Sequence, residues 1–299
     1  MRTELIIATY NSPRSLRLCL ASVARQRVLP HSIAIADDGS GPETAAVIAE
    51  FEAAHPELRV RHVWHEDRGF EKAAILNKAI ASSEADFLVF IDGDVMIHPD
   101  FIARHLRLAR PDRFSSGSLI RLDAEATAAV TEADVVEGRV FDMGWLRMNR
   151  AIDRVGTWLK AMPFPMPVQK MLDRLSPVQR AWGGANASAF RAAIIAVNGF
   201  DETMKWGGGD KELGIRLANS GVRGQHLRFT APLVHLDHPR GYADPAHKRA
   251  NRDRLRARQR EGVSWTPDGI VKRAAPAGTT GDGVPGVVAF ASVTQRYIQ

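Results

Sequence analysis

Phe87-Leu88-Val89-Phe90-Ile91-Asp92-Gly93-Asp94 carries five apolar residues directly into two carboxylates held one residue apart. An unbroken apolar run bounded by polar residues suits a strand buried on both faces, as in a parallel sheet covered by helices. In open α/β sheets the carboxyl ends of the strands border the ligand crevice, and paired Asp oxygens there suit a hard divalent cation that also holds phosphate oxygens. Asp-Gly is also ordinary turn chemistry, so the stretch alone is more often a strand-ending turn than a metal site. Its place in the chain decides between the two.

Upstream, Leu5-Ile6-Ile7-Ala8 reads as a first strand that exits at Thr9-Tyr10-Asn11, and Ser12-Pro13 opens a helix through about Gln26. Ile33-Ala34-Ile35-Ala36 is a second strand ending in Asp37-Asp38-Gly39-Ser40, followed from Pro42 by an Ala-rich helix that stops near His55-Pro56. Arg59 to Trp64 is a third strand with the exit loop Glu66-Asp67-Arg68-Gly69-Phe70, and Lys72 to Ser82 is the helix before the Phe87 strand. Such alternation predicts a doubly wound, mostly parallel α/β sheet with every strand exit on one edge. Thr9, Asn11, Asp37, Asp38, Asp67, Arg68, Asp92 and Asp94 fall on that edge. No Gly-rich phosphate fingerprint follows the first strand, which argues against a dinucleotide or P-loop site. A nucleotide held by side chains and a metal fits better.

The chain has 299 residues, 45% hydrophobic and 25% charged, with length enough for a sizeable core. No apolar run approaches the roughly 20 residues that span a bilayer, and the first residues enter a strand pattern instead of a signal peptide, so a cytoplasmic protein is expected. The lone Cys19 allows no internal disulfide and reads as core filler. The formal charge of +6 is local. Lys248, Arg249, Arg252, Arg254, Arg256, Arg258 and Arg260 face only Asp253; taking seven from 40 basic and one from 34 acidic residues leaves 33 of each. The segment reads as a solvated helix face, with no nucleic-acid partner expected; contact with an anionic surface is the alternative.

The four exits together resemble the family 2 glycosyltransferases of the GT-A fold: Ala8-Thr9-Tyr10-Asn11, Asp37-Asp38-Gly39-Ser40, Asp67-Arg68-Gly69-Phe70-Glu71-Lys72-Ala73-Ala74-Ile75-Leu76-Asn77, and Asp92-Gly93-Asp94. The resemblance implies that Thr9, Asn11, Asp38, Asp67, Lys72, Asn77 and Asp92 serve the nucleotide-sugar donor, with Asp94 on a Mn2+ or Mg2+ ion. Trp182-Gly183-Gly184-Ala185-Asn186-Ala187-Ser188, Asn198-Gly199-Phe200-Asp201-Glu202 and Trp206-Gly207-Gly208-Gly209-Asp210-Lys211-Glu212-Leu213 resemble blocks of the β-1,4-galactosyltransferases and chondroitin-polymerase-like domains. By that likeness Gly184 and Asn186 lie against the donor sugar, Trp206 belongs to a mobile lid, and Asp210 is the catalytic base. Gly209 stands where many relatives carry Glu, which leaves the acceptor open. As plain chemistry the default reading of Asp210 is a helix cap, although three preceding glycines give mobility that a cap does not need. Relatives also place a metal-binding His at His235, which is preferred over His238.

Between these blocks, a helix is expected from Asp100 to about Arg110 and a strand over Ser116 to Leu122. Trp145, Met148, Ile152, Val155, Leu159 and Met162 step by three and four, predicting one helical stripe that packs on the sheet or, alternatively, lies on a membrane surface. Met162-Pro163-Phe164-Pro165-Met166-Pro167 is expected to be extended. The expected organisation is a catalytic domain over 1–240 (nucleotide half 1–115, acceptor half 116–240), a basic helical extension over 241–268 and a low-complexity tail over 269–299. The function these features imply is metal-dependent, inverting transfer of a hexose or N-acetylhexosamine from a UDP-sugar to a carbohydrate or lipid-linked glycan hydroxyl. A sugar-nucleotide pyrophosphorylase would need a basic, Gly-rich first exit, unlike Thr9-Tyr10-Asn11-Ser12. A non-catalytic basic binder would show steeply salt-dependent association and no transfer.

Overall fold

A computed structural model of the chain describes residues 1–205, 207–238 and 245–272. The first half follows the expected alternation: β1 (Thr3–Thr9), α1 (Pro13–Ala24), β2 (Ser32–Asp37), α2 (Pro42–Ala54), β3 (Val60–Trp64), α3 (Lys72–Ala81) and β4 (Phe87–Asp92). Both α1 and α2 carry Pro in the first turn, where a missing N–H costs nothing. After the carboxylate turn come β5 (Val95–Ile97), α4 (Phe101–Arg107), β6 (Arg113–Gly117), β7 (Leu119–Arg121), α5 (Ala124–Ala129), α6 (Glu132–Val136), α7 (Met143–Met148), α8 (Val155–Ala161) and α9 (Met166–Leu175). The chain continues through β8 (Asn186–Phe190), α10 (Arg191–Ala196), α11 (Gly209–Asn219), β9 (Arg223–Leu227), β10 (Leu233–His235) and α12 (Pro245–Arg260).

Seven strands form one sheet in the order β3-β2-β1-β4-β8-β6-β9, parallel except that β8 runs against β4 and β6. Alternation along the central strands divides the core between two faces. Leu5, Ile7, Val89 and Ile91 pack with Leu16, Leu20, Val47 and Ile102 on one side. Ile6, Ala8, Leu88 and Phe90 pack with Ile75, Ile80, Trp182, Leu213 and Leu217 on the other. Each fully buried Leu or Ile stabilises by about 1.5–3 kcal/mol, so the two layers hold β1 and β4 rigid beneath their polar exits. A second, three-stranded sheet, β5-β10-β7, begins just after the β4 exit and brings Val95 opposite His235. Its core joins Met96, Ile120 and Val234 to Leu18 and Ala21 of α1 and to Val135, Val140 and Leu146.

Several expectations are corrected. The strand expected over Ser116–Leu122 is two strands in different sheets, because the chain turns at Ser118 from β6 into β7. The stripe from Trp145 to Met162 is not one helix. It breaks after Met148, Arg150 takes a left-handed φ of 55°, and Met148 and Val155 are exposed. The proline segment is extended only to Pro165, since Met166 and Pro167 open α9, again where no N–H is needed. Residues beyond Asp268 remain packed as far as the description reaches: Val271 N donates to Asn198 Oδ1 at 2.7 Å. The rest of the expected tail, 273–299, lies outside the described residues. Cys19 is fully buried, and burial pushes its thiol far up, which suits a core filler. No helix among the described residues is long and apolar enough to cross a membrane.

Candidate active site

The exits of β1, β2 and β3 converge through hydrogen bonds. Tyr10 OH donates to Asp67 Oδ2 at 2.9 Å, and Asp67 also accepts from Gly69 N. Asn11, with a left-handed φ of 42°, accepts from Gly41 N at 3.0 Å. Asp38 is buried, and both its oxygens are taken: His65 Nε2 lies 2.8 Å from one and Glu71 N donates to the other at 3.0 Å. Burial raises the Asp38 carboxyl, and His65 only partly offsets this. The Thr9 hydroxyl is buried without a partner among the described residues.

At the end of β4 the two carboxylates part company. Gly93 N donates to Ala8 O at 2.7 Å, seating the turn on the β1 exit. Asp92 accepts from Lys72 Nζ at 2.5 Å. Although burial opposes it, Asp92 and Asp210 hold the Lys72 ammonium firmly charged. Asp94 instead faces the second sheet, where its Oδ2 lies 3.7 Å from His235 Nε2 and 3.3 Å from His238 Nε2. The candidate ligand atoms of all three residues lie within 4.8 Å of one another. Burial and the Asp92 charge raise the Asp94 carboxyl, whereas burial lowers His235, keeping the imidazole neutral and able to ligate.

These residues fit a divalent cation. Asp94 Oδ1 is buried with no hydrogen-bond partner among the described residues, and such an orphan is costly unless something occupies its lone pairs. One carboxylate with two imidazoles suits a borderline first-row ion, with further positions for phosphate oxygens and water. The sequence ranks His235 above His238; the structure sets both beside Asp94.

Asp210 approaches from the opposite face of the large sheet. It is the second residue of α11, whose N-cap is Gly208 at φ 93°, and no side chain caps the helix. The capping explanation therefore fails. The Asp210 carboxylate rests on Gly184, where a Cβ would stand 2.4 Å from Oδ1 and 2.6 Å from Oδ2, so no larger residue leaves it in place. Burial pushes the Asp210 carboxyl above the ordinary range, opposed by Lys72 and reinforced by Asp92. A pocket beside it is lined by Phe70, Lys72, Leu76, Phe200, Met204 and the glycines before Asp210.

Other nominated residues are committed to the framework. Asn77 exchanges hydrogen bonds with Phe200 and donates to Glu202, which ties α3 to the segment before α11. Asn186 donates to Ala231 O and Ser118 O across the two sheets, and its Oδ1 is buried. Trp206 lies outside the described residues. Glu212, two positions after Asp210, is fully buried against Arg216, which also donates to Gly199 O. The helix α12, read as a solvated face, is half committed: Arg258 meets Asp201 and Glu212, and Asn251 donates to Lys205 O and Gly207 O, pinning the glycine loop.

Residues 4–132 match the model of glycosyl transferase family 2, and residues 170–239 match that of the N-terminal domain of galactosyltransferase. Validoxylamine A glucosyltransferase of Streptomyces hygroscopicus subsp. limoneus is 30% identical over 231 residues, 73% of this chain and 48% of that protein. Chondroitin synthase of Escherichia coli is 23% identical over 73% of this chain and 32% of its own. The chain thus spans about half or less of these relatives. Among solved structures, mannosyltransferase PcManGT of Pyrobaculum calidifontis in complex with GDP-Man and Mn2+ aligns with a TM-score of 0.55 at 19% identity, covering 86% of this chain and 62% of that one. S. aureus TarS aligns at 0.57 and 14% identity over 88% of this chain and 41% of its own. The GT-A fold, the paired family matches and the carboxylate exits agree: residues 4–132 carry a glycosyl transferase family 2 domain, followed over 170–239 by a galactosyltransferase-type segment.

Proposed function

We propose that the chain moves a hexose or N-acetylhexosamine from a UDP-sugar to a carbohydrate or lipid-linked glycan hydroxyl, with inversion, at a site holding Mn2+ or Mg2+. The observation that carries this is the division of the carboxylates: Asp94 turns to His235 and His238, while Asp210 stands apart beside Gly184 and Lys72. A lone carboxylate raised by burial serves as a general base; a double displacement would need a nucleophile as well. Asp210 takes the proton from the acceptor hydroxyl as that oxygen attacks the anomeric carbon. One displacement inverts the centre.

Asp94, His235 and His238 would hold the cation, which supplies Lewis-acid neutralisation of charge on the departing diphosphate. Lys72, bridged to Asp92, adds a fixed positive charge, and preorganised contacts of this kind are worth roughly 3–4 kcal/mol when tested by mutation. Thr9, Asn11, Asp38 and Asp67 are proposed to line the nucleoside end, with Asp92 toward the ribose and Gly184 under the donor sugar. GDP-Man with Mn2+ in the Pyrobaculum enzyme supports a nucleotide sugar with a cation and leaves the base to be tested. Arg249, Arg252, Arg256 and Arg260 form the exposed side of α12, which supports peripheral contact with an anionic membrane surface. The test is a thermal-shift panel of UDP-glucose, UDP-galactose, the two UDP-N-acetylhexosamines and GDP-mannose, each with and without Mn2+. A Mn2+-dependent shift with a UDP-sugar is expected; a shift with GDP-mannose alone overturns the donor, and no shift with any overturns the site.

A further inference from the structure

Side chains from α3, the β3 exit and the β2 exit form a line that ends on Asp38. His65 Nε2 lies 2.8 Å from Asp38 Oδ1, and Lys78 Nζ lies 3.2 Å from His65 Nδ1. An ammonium has donors and no acceptor, so Nδ1 must accept. The ring is then the neutral imidazole, and its one N–H proton sits on Nε2, where it donates to Asp38. Lys78 thereby fixes the tautomer and leaves His65 a single way to meet the carboxylate. The pair is well shielded, with the His65 side chain 10% exposed and that of Asp38 7%.

Glu71 N donates to the other Asp38 oxygen at 3.0 Å, so N–H groups hold the carboxylate from both sides. An Asn in its place would set an amide NH2 against one of those donors. The adjacent Asp37 shows what a plain framework tie looks like. It accepts from Ser40 N and meets His62 Nε2 at 2.8 Å, and no second hydrogen bond holds the His62 ring among the described residues. Beside Asp38 the β2 and β3 exits touch: a Cβ on Gly39, at φ 93°, would stand 2.5 Å from Asp67 Cα. Helix α3 supplies Lys78 to His65 and Lys72 to Asp92, so one element steadies both carboxylates nominated for the donor.

We propose that His65 is a positioning residue for the donor: held in one tautomer by Lys78, it fixes the Asp38 carboxylate in the orientation that binds the nucleoside. This rests on the reading of Asp38 as a nucleoside residue given above. Without the ring, Asp38 keeps Glu71 N alone and can turn, so part of the binding energy goes into ordering it. His65 acts only through Asp38. Its contribution to affinity must therefore vanish once the carboxylate is gone, which a double-mutant cycle measures. A Gln at 65 can present an amide N–H in place of Nε2–H, whereas Leu fills the space of the ring with no donor.

The experiment is calorimetric titration of UDP with Mn2+ into the full chain and into His65→Leu, His65→Gln, Asp38→Asn and the Leu/Asn double variant, with urea titration of each to confirm folding. His65→Leu should weaken UDP about tenfold, the size of one hydrogen bond to a charged group. His65→Gln should stay within about twofold of wild type, and Asp38→Asn should lose at least as much as His65→Leu. Adding His65→Leu to Asp38→Asn should cost no more than about twofold further. Independently of any variant, imidazole 15N shifts of the wild-type chain should show His65 neutral with its proton on Nε2. Wild-type affinity in His65→Leu, a loss that Gln does not rescue, additive losses in the double variant, or a proton on Nδ1 overturns the positioning role. Wild-type affinity in Asp38→Asn would instead overturn the nucleoside role of Asp38, and absence of Mn2+-dependent UDP binding in wild type would overturn the donor reading, so the failures are distinguishable.

Discussion

Replacing Asp210 by Asn removes the proposed proton acceptor while changing almost nothing else. Asp210 makes no capping hydrogen bond, so the helix loses no cap, and Asn is isosteric, so it fits the space above Gly184 that a Cβ would fill. Lys72 retains Asp92 at 2.5 Å and stays paired. A carboxyl whose folded pKa is raised binds its proton more tightly in the native state than in the unfolded chain, so its ionised form at neutral pH lowers stability. Asp210→Asn should therefore melt at or slightly above the wild-type temperature and bind UDP with Mn2+ as wild type does. Transfer should fall by roughly 10²–10⁴-fold, the range for loss of a general base, which corresponds to about 3–5 kcal/mol of transition-state stabilisation. Wild-type transfer should also decline with acid at a pH above the ordinary carboxylate range, as the raised Asp210 group takes up its proton. The assay is UDP release with an accepted sugar, beside calorimetry and differential scanning fluorimetry. An Asn variant that transfers at the wild-type rate, properly folded, refutes the base assignment.

Gly184→Ala should displace the Asp210 carboxylate, since the added Cβ would stand 2.4 Å from Oδ1; a misplacement of about 1 Å costs about 10²-fold in turnover, measured with UDP binding as the control. Glu212→Gln leaves the fully buried Arg216 without its counter-charge, so stability should drop by about 3–5 kcal/mol in denaturant titration, the behaviour of a framework residue and not of a base. Buried His105, held down to about 3, and His98, at about 4, bind protons less readily folded than unfolded. Their contribution is complete above the unfolded value near 6.5 and is lost as pH falls toward 4 and then 3. Urea midpoints should decline over that window, and His105→Leu should flatten the decline.

The sequence made β1 to β4 legible because each is an apolar run closed by polar residues, and strands buried on both faces leave that pattern. The second sheet left no such trace. Its strands have three residues each, and the turn at Ser118 that moves the chain from one sheet to the other looks locally like a continuous strand. The spacing of Trp145 to Met162 keeps a helical period across a real break, because periodicity does not register a residue such as Arg150 turning left-handed. Asp210 was legible through its motif, but its perch on Gly184 was not, since nothing local couples residues 26 apart. The same holds for Lys72 drawing Asp92 away from Asp94, and for His238 joining His235 from an irregular segment after β10. Asn77 and Asn186 sit in recognisable motifs, yet their amide nitrogens donate within the framework, to Phe200 O and Glu202 and to Ala231 O, which only the packed structure shows.

The most direct test of the divided carboxylate site is calorimetric titration of UDP into the wild-type chain and Asp94→Ala, each with Mn2+ and with EDTA. Wild type should bind UDP tightly only with Mn2+. Asp94→Ala should lose that dependence entirely, because two imidazoles alone do not offset the charge of a divalent ion. Unchanged Mn2+-dependent affinity in Asp94→Ala, or equal UDP affinity with and without the metal in wild type, would contradict a cation held by Asp94, His235 and His238.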